Sequence, residues 1–478
     1  MKTNSRILCV FLCLSILLSS LCFGASALTA DEQWRTYFTA YTEDGSAVYM
    51  APGVDETQRN ISWYSPLNAG TCKVVLGESP DLSDGRDFGG TYVQTPEGDR
   101  SNKVVLTGLE PGKTYYYKCV TSEGESSTAS FSTLSGKNFT AMYVTDIHVS
   151  KDDENADNLM HESYTFSQVV EEANAKTPLD LIVSAGDQAS RGYRSEYSAL
   201  VASPLLRGIP FALCPGNHDR KGIAYKYFTN NPNEYRKARV HALISYDYAY
   251  VKGDVLFLVF DSNVASMTEH RNFVRSAVGQ YPDVKWRVAV FHHDLYGARI
   301  PHRESENKLL RMIWSPLMDE FAFDLVLLGH SHYYTVSNAI FDNKTNEKLD
   351  LSDGSVITDP KGSIVMVSGS INRPRRLEDG EEPPLGENIA YDYLTEQPIY
   401  NLLDCRADSI TVRSFELGAD KPFHTFTVVK TTNTGGHPAN GRDFYDGFVR
   451  IIADIYGWIN ETVTSARMRK NWNNFVGQ

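Results

Sequence analysis

The sequence contains few cysteines, only seven in 478 residues. Three of them lie within the first 23 positions, and the others are Cys72, Cys119, Cys214 and Cys405. Four cysteines in so long a chain exclude a protein that is built on a disulfide framework. A bridge between Cys72 and Cys119 stays open, because spacing alone cannot decide it. Stability must come mainly from a hydrophobic core, and a hydrophobic share of 42% is enough to form one.

Long apolar runs are also lacking, apart from the run over residues 7–23. Lys2 and Arg6 precede this run, and the small residues Ala25-Ser26-Ala27 follow it. That order predicts a secretory signal peptide over residues 1–27 with cleavage at its end. The alternative is an uncleaved membrane anchor, for which the run is short. We therefore expect a secreted or extracytoplasmic protein with no stable membrane span after maturation.

Basic residues are fewer than acidic ones. The sequence has 46 Lys and Arg but 59 Asp and Glu, so the net charge is −13. An acidic surface repels nucleic acid backbones, so a nucleic acid partner is not expected. A small phosphorylated substrate remains compatible, because local cations can override the overall field. The sequence has no internal repeat, and it leaves the oligomeric state open.

Short runs of β-branched and aromatic residues fill the first part of the chain, from about Leu28 to Gly136. Turns rich in Gly, Pro, Asp and Ser separate them, which predicts an all-β sandwich. The stretch Val104–Tyr117 resembles the corner before strand F of a fibronectin type III domain. In that family a tyrosine just inside the strand usually ties the corner down. Residues 28–136 are therefore expected to form a fibronectin type III-like domain. The runs are Asn60–Tyr64, Lys73–Leu76, Lys103–Leu106 and Thr114–Lys118.

The pattern changes after Lys137, where apolar runs alternate with helix-like segments up to about Lys430. Such alternation predicts an α/β domain with parallel strands and crossover connections. The expected helices lie near 159–176, 195–207, 267–280 and 305–321. The expected strands are Thr140–Thr145, Asp180–Ser184, Phe211–Cys214, Val255–Phe260, Trp286–Phe291 and Leu325–Leu328, followed by a β-rich part that contains Ser363–Val367 and Ser409–Arg413.

The last segment, residues 431–478, begins with a linker rich in Thr, Asn and Gly up to position 443. An amphipathic helix is expected beyond it. We expect its apolar face to pack on the protein itself, with a dimer contact or a membrane surface as alternatives. The apolar face consists of Phe444, Phe448, Ile451, Ile455, Ile459 and Val463.

Five of the apolar strands end abruptly in polar residues that can bind metals. Ligands in open α/β sheets bind beyond the carboxyl ends of the strands, so the five clusters are expected to meet at one edge. Carboxylates, an amide oxygen and imidazoles together suit Zn, Fe or Mn, and the absence of thiolates excludes a structural zinc finger. The clusters are Asp146-Ile-His148, Ala-Gly-Asp187, Gly-Asn217-His218-Asp219, His292-His293-Asp294 and Gly-His330-Ser-His332.

The series D-x-H, G-D, G-N-H-D, H and G-H-x-H resembles the calcineurin-like metallophosphoesterase superfamily over residues 137 to about 420. With a fibronectin-like domain in front, the chain resembles the purple acid phosphatase branch. The resemblance implies an α/β sandwich over residues 137–430 and two divalent metal ions, Fe, Zn or Mn, bridged by one carboxylate. It implies hydrolysis of phosphomonoesters by attack of a metal-bridging hydroxide.

The resemblance also assigns residues. Asp187 is the expected bridge, because a carboxylate has two oxygens to share. His292 is expected to bind rather than His293, because it directly follows the apolar run and neighbouring side chains of a strand point in opposite directions. The first metal position takes Asp146, His148, Asp187 and His332, and the second takes Asp187, Asn217, His292 and His330.

Two residues are expected to act in catalysis without binding metal. His218 corresponds to a histidine that stabilises the transferring phosphoryl group or protonates the leaving oxygen. Asp219 is expected to hold the ring and tautomer of His218, as carboxylates commonly do for working histidines. The alternative for Asp219 is a plain turn or helix-cap residue.

The sequence departs from the purple acid phosphatase pattern at two positions. The first motif of that branch lacks the histidine that stands here as His148. Its second motif carries a tyrosine where this chain has Ser190. Because that tyrosine binds ferric iron and gives the colour, we expect a colourless, all-divalent centre.

Other functions remain alternatives. A phosphodiesterase can use the same metal centre, and a nucleotidase is disfavoured because the segment after the predicted domain is short for a separate nucleotide-binding domain. A non-catalytic binding or adhesion protein would require a broken metal site, and no ligand position is broken here.

Overall fold

The computed structural model describes residues 28–151, 155, 157–237, 245–264, 266–297, 304–374, 386–438, 451, 454 and 455. The predicted signal peptide lies outside these residues. Among the helices of the described residues, none combines the length and the apolar character that are needed to cross a bilayer.

The first secondary-structure element of the described residues is a helix, α1 (Ala30–Asp44), rather than a strand. Thr29 and Glu32 form a capping box at its start, and Gly45 ends it in the left-handed conformation. The indole of Trp34 is buried and donates to the carbonyl of Met160 in the second domain, at 3.2 Å. The prediction that the chain is all-β from about Leu28 is therefore wrong for this segment, whose aromatic residues recur at helical spacing.

The N-terminal β-domain consists of two sheets that face each other. One sheet has the order β1-β2-β6-β5 and the other β4-β3-β7-β8, with β9 also paired to β7. Between them lies an apolar cluster that includes Ile61, Trp63 and Val104. The strands are β1 (Tyr49–Pro52), β2 (Gln58–Pro66), β3 (Lys73–Gly77), β4 (Arg86–Gly89), β5 (Thr91–Gln94), β6 (Asp99–Thr107), β7 (Thr114–Thr121), β8 (Gly124–Glu125) and β9 (Ala129–Ser132).

The predicted tyrosine corner is present at the start of β7. The backbone N–H of Glu110 donates to the hydroxyl of Tyr115 at 2.9 Å, which ties the turn to the strand. The bridge that the sequence left open is not formed, since Cys72 and Cys119 are both free thiols.

The second domain contains two mixed sheets that pack face to face. The first has the order β12-β11-β10-β22-β23-β24-β19, and the second β13-β14-β15-β16-β20-β17-β18, with β21 paired to β17. The strands are β10 (Phe139–Val144), β11 (Leu181–Ser184), β12 (Phe211–Leu213), β13 (Tyr248–Lys252), β14 (Val255–Val259), β15 (Trp286–Val290), β16 (Leu325–Leu328), β17 (Tyr334–Phe341), β18 (Lys344–Glu347), β19 (Ser355–Thr358), β20 (Ser363–Val367), β21 (Ile389–Tyr393), β22 (Ile399–Cys405), β23 (Ser409–Glu416) and β24 (His424–Val429).

Helices cover the outer faces of this sandwich. Phe166 of α2 stacks on Phe211 of the first sheet, and Trp314 of α6 stacks on Phe291, directly after β15 of the second. Between the sheets lies one buried apolar cluster. The helices are α2 (Asn158–Lys176), α3 (Arg194–Leu200), α4 (Ala224–Phe228), α5 (Met267–Gln280) and α6 (Glu304–Phe321), with 3₁₀ turns at Pro204–Arg207 and Asp219–Lys221. Four of these correspond to the predicted helices, although the predicted 195–207 helix is α3 followed by the first 3₁₀ turn.

The five polar clusters come from two sheets. The expectation that they lie on one edge of a single open sheet is therefore wrong. β10, β11 and β12 are parallel in the first sheet, and β14, β15, β16 and β20 are parallel in the second. The carboxyl ends of both parallel sets meet at the same end of the sandwich. The α/β sandwich that the resemblance implied is confirmed.

The C-terminal segment is described only in part. Phe444, Phe448, Ile459 and Val463 of the predicted apolar face lie outside the described residues. Ile451 and Ile455 are exposed, whereas Asp454 between them accepts hydrogen bonds from the backbone and hydroxyl of Thr268, at the start of α5. For these two residues the predicted packing on the protein itself is wrong.

Candidate metal centre

The seven predicted ligands all lie in loops directly after parallel strands. Asp146 and His148 follow β10, Asp187 follows β11, and Asn217 follows β12 in the first sheet. The second sheet contributes three histidines, which are His292 after β15 and His330 and His332 after β16.

Five of the seven have a backbone conformation that L-residues rarely adopt. Their φ angles lie between 49° and 74°, in the left-handed region where a Cβ crowds the chain. Backbone bonds hold two of them in place, from Asp146 N to Gly186 O and from His148 N to Asp187 O, each 2.9 Å. Such strain costs of order 1–3 kcal/mol per residue and clusters at functional sites. The five are Asp146, His148, Asp187, His330 and His332.

The side chains that were assigned to the first metal position converge. Nε2 of His332 lies 3.2 Å from Oδ1 of Asp146 and 3.2 Å from Nε2 of His148. Nε2 of His148 lies 3.7 Å from Oδ2 of Asp187. Asp146, His148 and His332 therefore bring donor atoms within 4.8 Å of one another, and the carboxylate of Asp187 lies beside His148.

The side chains that were assigned to the second metal position converge beside the first. Oδ1 of Asn217 lies 3.0 Å from Nε2 of His292 and 2.9 Å from Nδ1 of His330. Nε2 of His292 lies 3.2 Å from Oδ2 of Asp187. Asp187 thus contacts both groups and stands between them.

His292 and His293 face different surroundings. The ring of His292 is fully buried, with Nδ1 3.0 Å from the carbonyl of Ala185 and Nε2 turned toward Asn217. Nδ1 of His293 lies 2.8 Å from the hydroxyl of Ser262. The structure brings the ring of His292 into the group around Asp187.

The donor set fits a pair of divalent cations. Among the described residues, Oδ1 of Asp146 accepts no hydrogen bond although it is buried, which is costly unless a cation satisfies it. Burial disfavours the charge of Asp187, but His292 and His148 hold its pKa well below the usual range. Burial likewise opposes the charge of His292, yet Asp187 raises its pKa to about 9. Oxygen and imidazole donors of this kind suit Zn, Fe or Mn.

His218 lies at the edge of the centre. Its ring packs edge-on against His148 with centroids 4.7 Å apart, and its backbone N–H donates to Oδ1 of Asp187 at 2.7 Å. Its Nδ1 lies 2.9 Å from the carbonyl of Ser190 and 2.6 Å from Nζ of Lys221. Burial lowers the pKa of His218.

The prediction that Asp219 orients His218 is wrong. The buried carboxylate of Asp219 accepts from the hydroxyl of Tyr197 at 2.6 Å and from the backbone N–H of Gly216 and Ala189 at 2.8 and 3.1 Å. It therefore ties the loops after β11 and β12 together. Burial and the nearby charge of Asp187 raise its pKa to about 7.

Sequence reasoning missed the residues that shape the loops. The side chain of Asn263 donates to the carbonyl of Gly216 at 3.3 Å, and the hydroxyl of Ser262 accepts from the backbone of His292 at 3.2 Å. Both follow β14, an apolar run of the parallel set that ends without a predicted ligand. The sequence signal that could have identified them is the pair of small polar residues directly after this apolar strand.

Two parts of the chain match known families. Residues 139–334 match the family described as Calcineurin-like phosphoesterase. Residues 46–133 match the Purple acid Phosphatase, N-terminal domain. Together the matches cover the N-terminal β-domain and the part of the second domain that carries the predicted ligands.

Individual proteins also resemble this chain. The chain is 22% identical over 325 residues to a protein named Probable purple acid phosphatase 20 of Arabidopsis thaliana, covering 63% of this chain and 72% of that protein. The structure of purple acid phosphatase PPD1 from yellow lupin (Lupinus luteus) seeds superposes with a TM-score of 0.67 at 14% identity, covering 82% of this chain and 76% of the other.

A further solved structure, that of PhoD, gives a TM-score of 0.54 at 12% identity and covers 87% of this chain and 98% of the other. At such identities the superpositions show the fold alone. Together with the donor set, the fold implies a binuclear metal centre. The chain is therefore a metal-dependent phosphoester hydrolase, with a calcineurin-like phosphoesterase domain behind a purple acid phosphatase N-terminal domain.

Proposed function

We propose that this protein is a secreted phosphomonoesterase. Its two divalent cations would be held by Asp146, His148, Asp187, Asn217, His292, His330 and His332. The observation that carries the proposal is the position of Asp187, whose Oδ2 lies 3.2 Å from His292 and 3.7 Å from His148, between two groups of donor atoms.

Residues of the chain would have separate roles around a bound phosphate ester. When bound, two cations at such a site make hydroxide available near neutral pH and neutralise phosphate oxygens. His218 stands beside this position, and its ring would donate a hydrogen bond to a phosphoryl or leaving-group oxygen. Lys221, whose Nζ contacts that ring at 2.6 Å, would add positive charge on the same side.

The metals are proposed to be divalent. His148 places an imidazole where the purple branch has no histidine, and Ser190 turns its hydroxyl toward the carbonyl of His148, at 3.3 Å. A serine in that place offers no phenolate to a ferric ion. Zn, Mn or ferrous iron are therefore favoured over a mixed-valence pair.

Secretion is proposed from the first 27 residues. Their charge, apolar run and Ala25-Ser26-Ala27 form the order that signal peptidases cleave. Expression in a host with a secretory pathway, followed by N-terminal sequencing of the exported protein, tests this. A first residue of Leu28 is expected, and retention of Lys2 in a membrane fraction would support the anchor instead.

Activity can be tested with a matched pair of substrates. The purified protein is assayed with nitrophenyl phosphate and bis-nitrophenyl phosphate, before and after chelation, while its metal content is measured. We expect about two metals per chain and faster turnover of the monoester. A faster diester reaction would make the protein a phosphodiesterase on the same centre. No metal and no turnover would favour a binding protein.

A further inference from the structure

A segment after β20, residues 370–373, docks on the loop that carries the first two ligands. The hydroxyl of Ser370 donates to the carbonyl of Asp146 at 2.7 Å. The side-chain amide of Asn372 donates to the carbonyl of Ile147 at 2.7 Å. These bonds fix the 370–373 segment relative to the backbone between the two ligands.

The same segment also holds a ligand from the other sheet. Nδ1 of His332 donates to the carbonyl of Arg373 at 2.6 Å. With its Nδ1 proton engaged, the ring turns Nε2 toward Oδ1 of Asp146, 3.2 Å away. A carbonyl on the far nitrogen is the usual way to fix the tautomer and orientation of a metal-binding histidine.

Glu162 of α2 contacts both the loop after β10 and the 370–373 segment. It is 6% exposed, and its Oε2 accepts from the backbone N–H of Ser150, two residues after His148, at 2.6 Å. Its other oxygen forms an ion pair with the guanidinium of Arg373. Its backbone carbonyl accepts a further bond from Asn372 at 3.2 Å.

One carboxylate thus contacts the loop of His148 and the residue that holds His332. The two imidazoles belong to different sheets, yet their Nε2 atoms lie 3.2 Å apart. Such closeness needs a fixed distance between their supports, and Glu162 of α2 adds to the direct bonds from Ser370 and Asn372 that hold it. The ring of His292, at the second position, is held instead by the carbonyl of Ala185.

We propose that Glu162 is a positioning residue for the first metal position, so that binding of one of the two cations depends on it and binding of the other does not. The inference rests on the proposed binuclear centre. Loss of such an outer partner typically costs about 10–100-fold in metal affinity.

The test is a Mn²⁺ titration of the metal-depleted full chain, followed by equilibrium dialysis and electron paramagnetic resonance. For the wild type we expect two bound ions and the signal of a coupled pair. For Glu162→Ala we expect one ion to bind about 10–100-fold more weakly, with the signal of an isolated Mn²⁺ at intermediate concentration. Glu162→Gln should lie between, because its amide oxygen can still accept from Ser150.

The matched control is Glu171→Ala, which removes an exposed carboxylate from the same helix, where it accepts only from Ser167 among the described residues. It should bind both ions like the wild type. Asn372→Ala removes a second support and carries the test if Glu162→Ala does not fold. Equal weakening of both ions, or of neither, in Glu162→Ala or in a folded Asn372→Ala would overturn the inference. A wild type without bound Mn²⁺ would instead refute the proposed centre.

Discussion

Gly216 lies directly against Asp187, with no room for a side chain between them. A Cβ on Gly216 would lie 2.1 Å from Oδ1 of Asp187 and 2.4 Å from its backbone nitrogen. Asp187 has little freedom to move away, because its own backbone is already in the left-handed region. The glycine of the G-N-H-D motif therefore provides space for the carboxylate that stands between the two donor groups.

We expect Gly216→Ala to displace Asp187 and to lose most bound metal and turnover, while the fold persists. Metal content and phosphatase rate of the purified variant check this. The control is Gly279→Ala in α5, where an added Cβ meets nothing within 4 Å among the described residues. That variant should keep full activity and gain up to about 1 kcal/mol of stability, since alanine favours helix. A fully active Gly216→Ala would contradict the prediction.

Replacing Asp187 and His218 should have different effects. Asp187→Ala removes the carboxylate shared by both groups, so both metals and nearly all turnover should be lost. His218→Ala should keep both metals and lose about 10²–10⁴-fold in rate, as expected for a residue that assists proton transfer. Metal analysis beside steady-state kinetics separates the two effects. Full activity in Asp187→Ala would refute its bridging role.

The purified protein should be colourless. Ser190 offers no phenolate, so no ligand-to-metal charge-transfer band is expected in the visible spectrum of the metal-loaded protein, even after loading with iron under air. The absorption spectrum of the protein with measured metal content tests this. A strong visible band would show that another tyrosine reaches the centre.

Stability should fall as the pH rises above neutrality because of His270. Burial disfavours its charged form, but Asp247 at 2.6 Å from Nδ1 and the carbonyl of Val264 at 2.7 Å from Nε2 raise its pKa to about 9. A raised pKa in the folded state stabilises the protein fully below the unfolded pKa of about 6.5, and this contribution is lost between about 6.5 and 9.

Denaturant unfolding at pH 6, 7.5 and 9 measures this effect. The wild type should lose on the order of 3 kcal/mol across the range from this group alone. His270→Asn should be less stable at pH 6 and should show a flatter profile. An equally steep profile in the variant would assign the pH dependence to other groups.

Much of the candidate site could be predicted because all of its polar clusters occupy the same kind of position, directly after an apolar strand. Apolar runs that end in Asp, Asn or His can be recognised in the sequence alone. The role of Asp219 could not be predicted, because its partner Tyr197 comes from α3 and only packing reveals that contact. α1 was not predicted, because its aromatic residues recur at helical spacing but directly precede β-rich runs and were assigned to the same β-domain.

By itself, the sequence determined the two domain types, the parallel strands and the candidate donor residues, because these depend on local periodicity and on residue chemistry. Only the tertiary structure decided that two sheets rather than one present the clusters, and that Glu162 and Arg373 link His148 with His332. Those relationships join residues up to 211 positions apart, and their distances follow from how sheets and helices pack. No local pattern in the chain encodes such a distance.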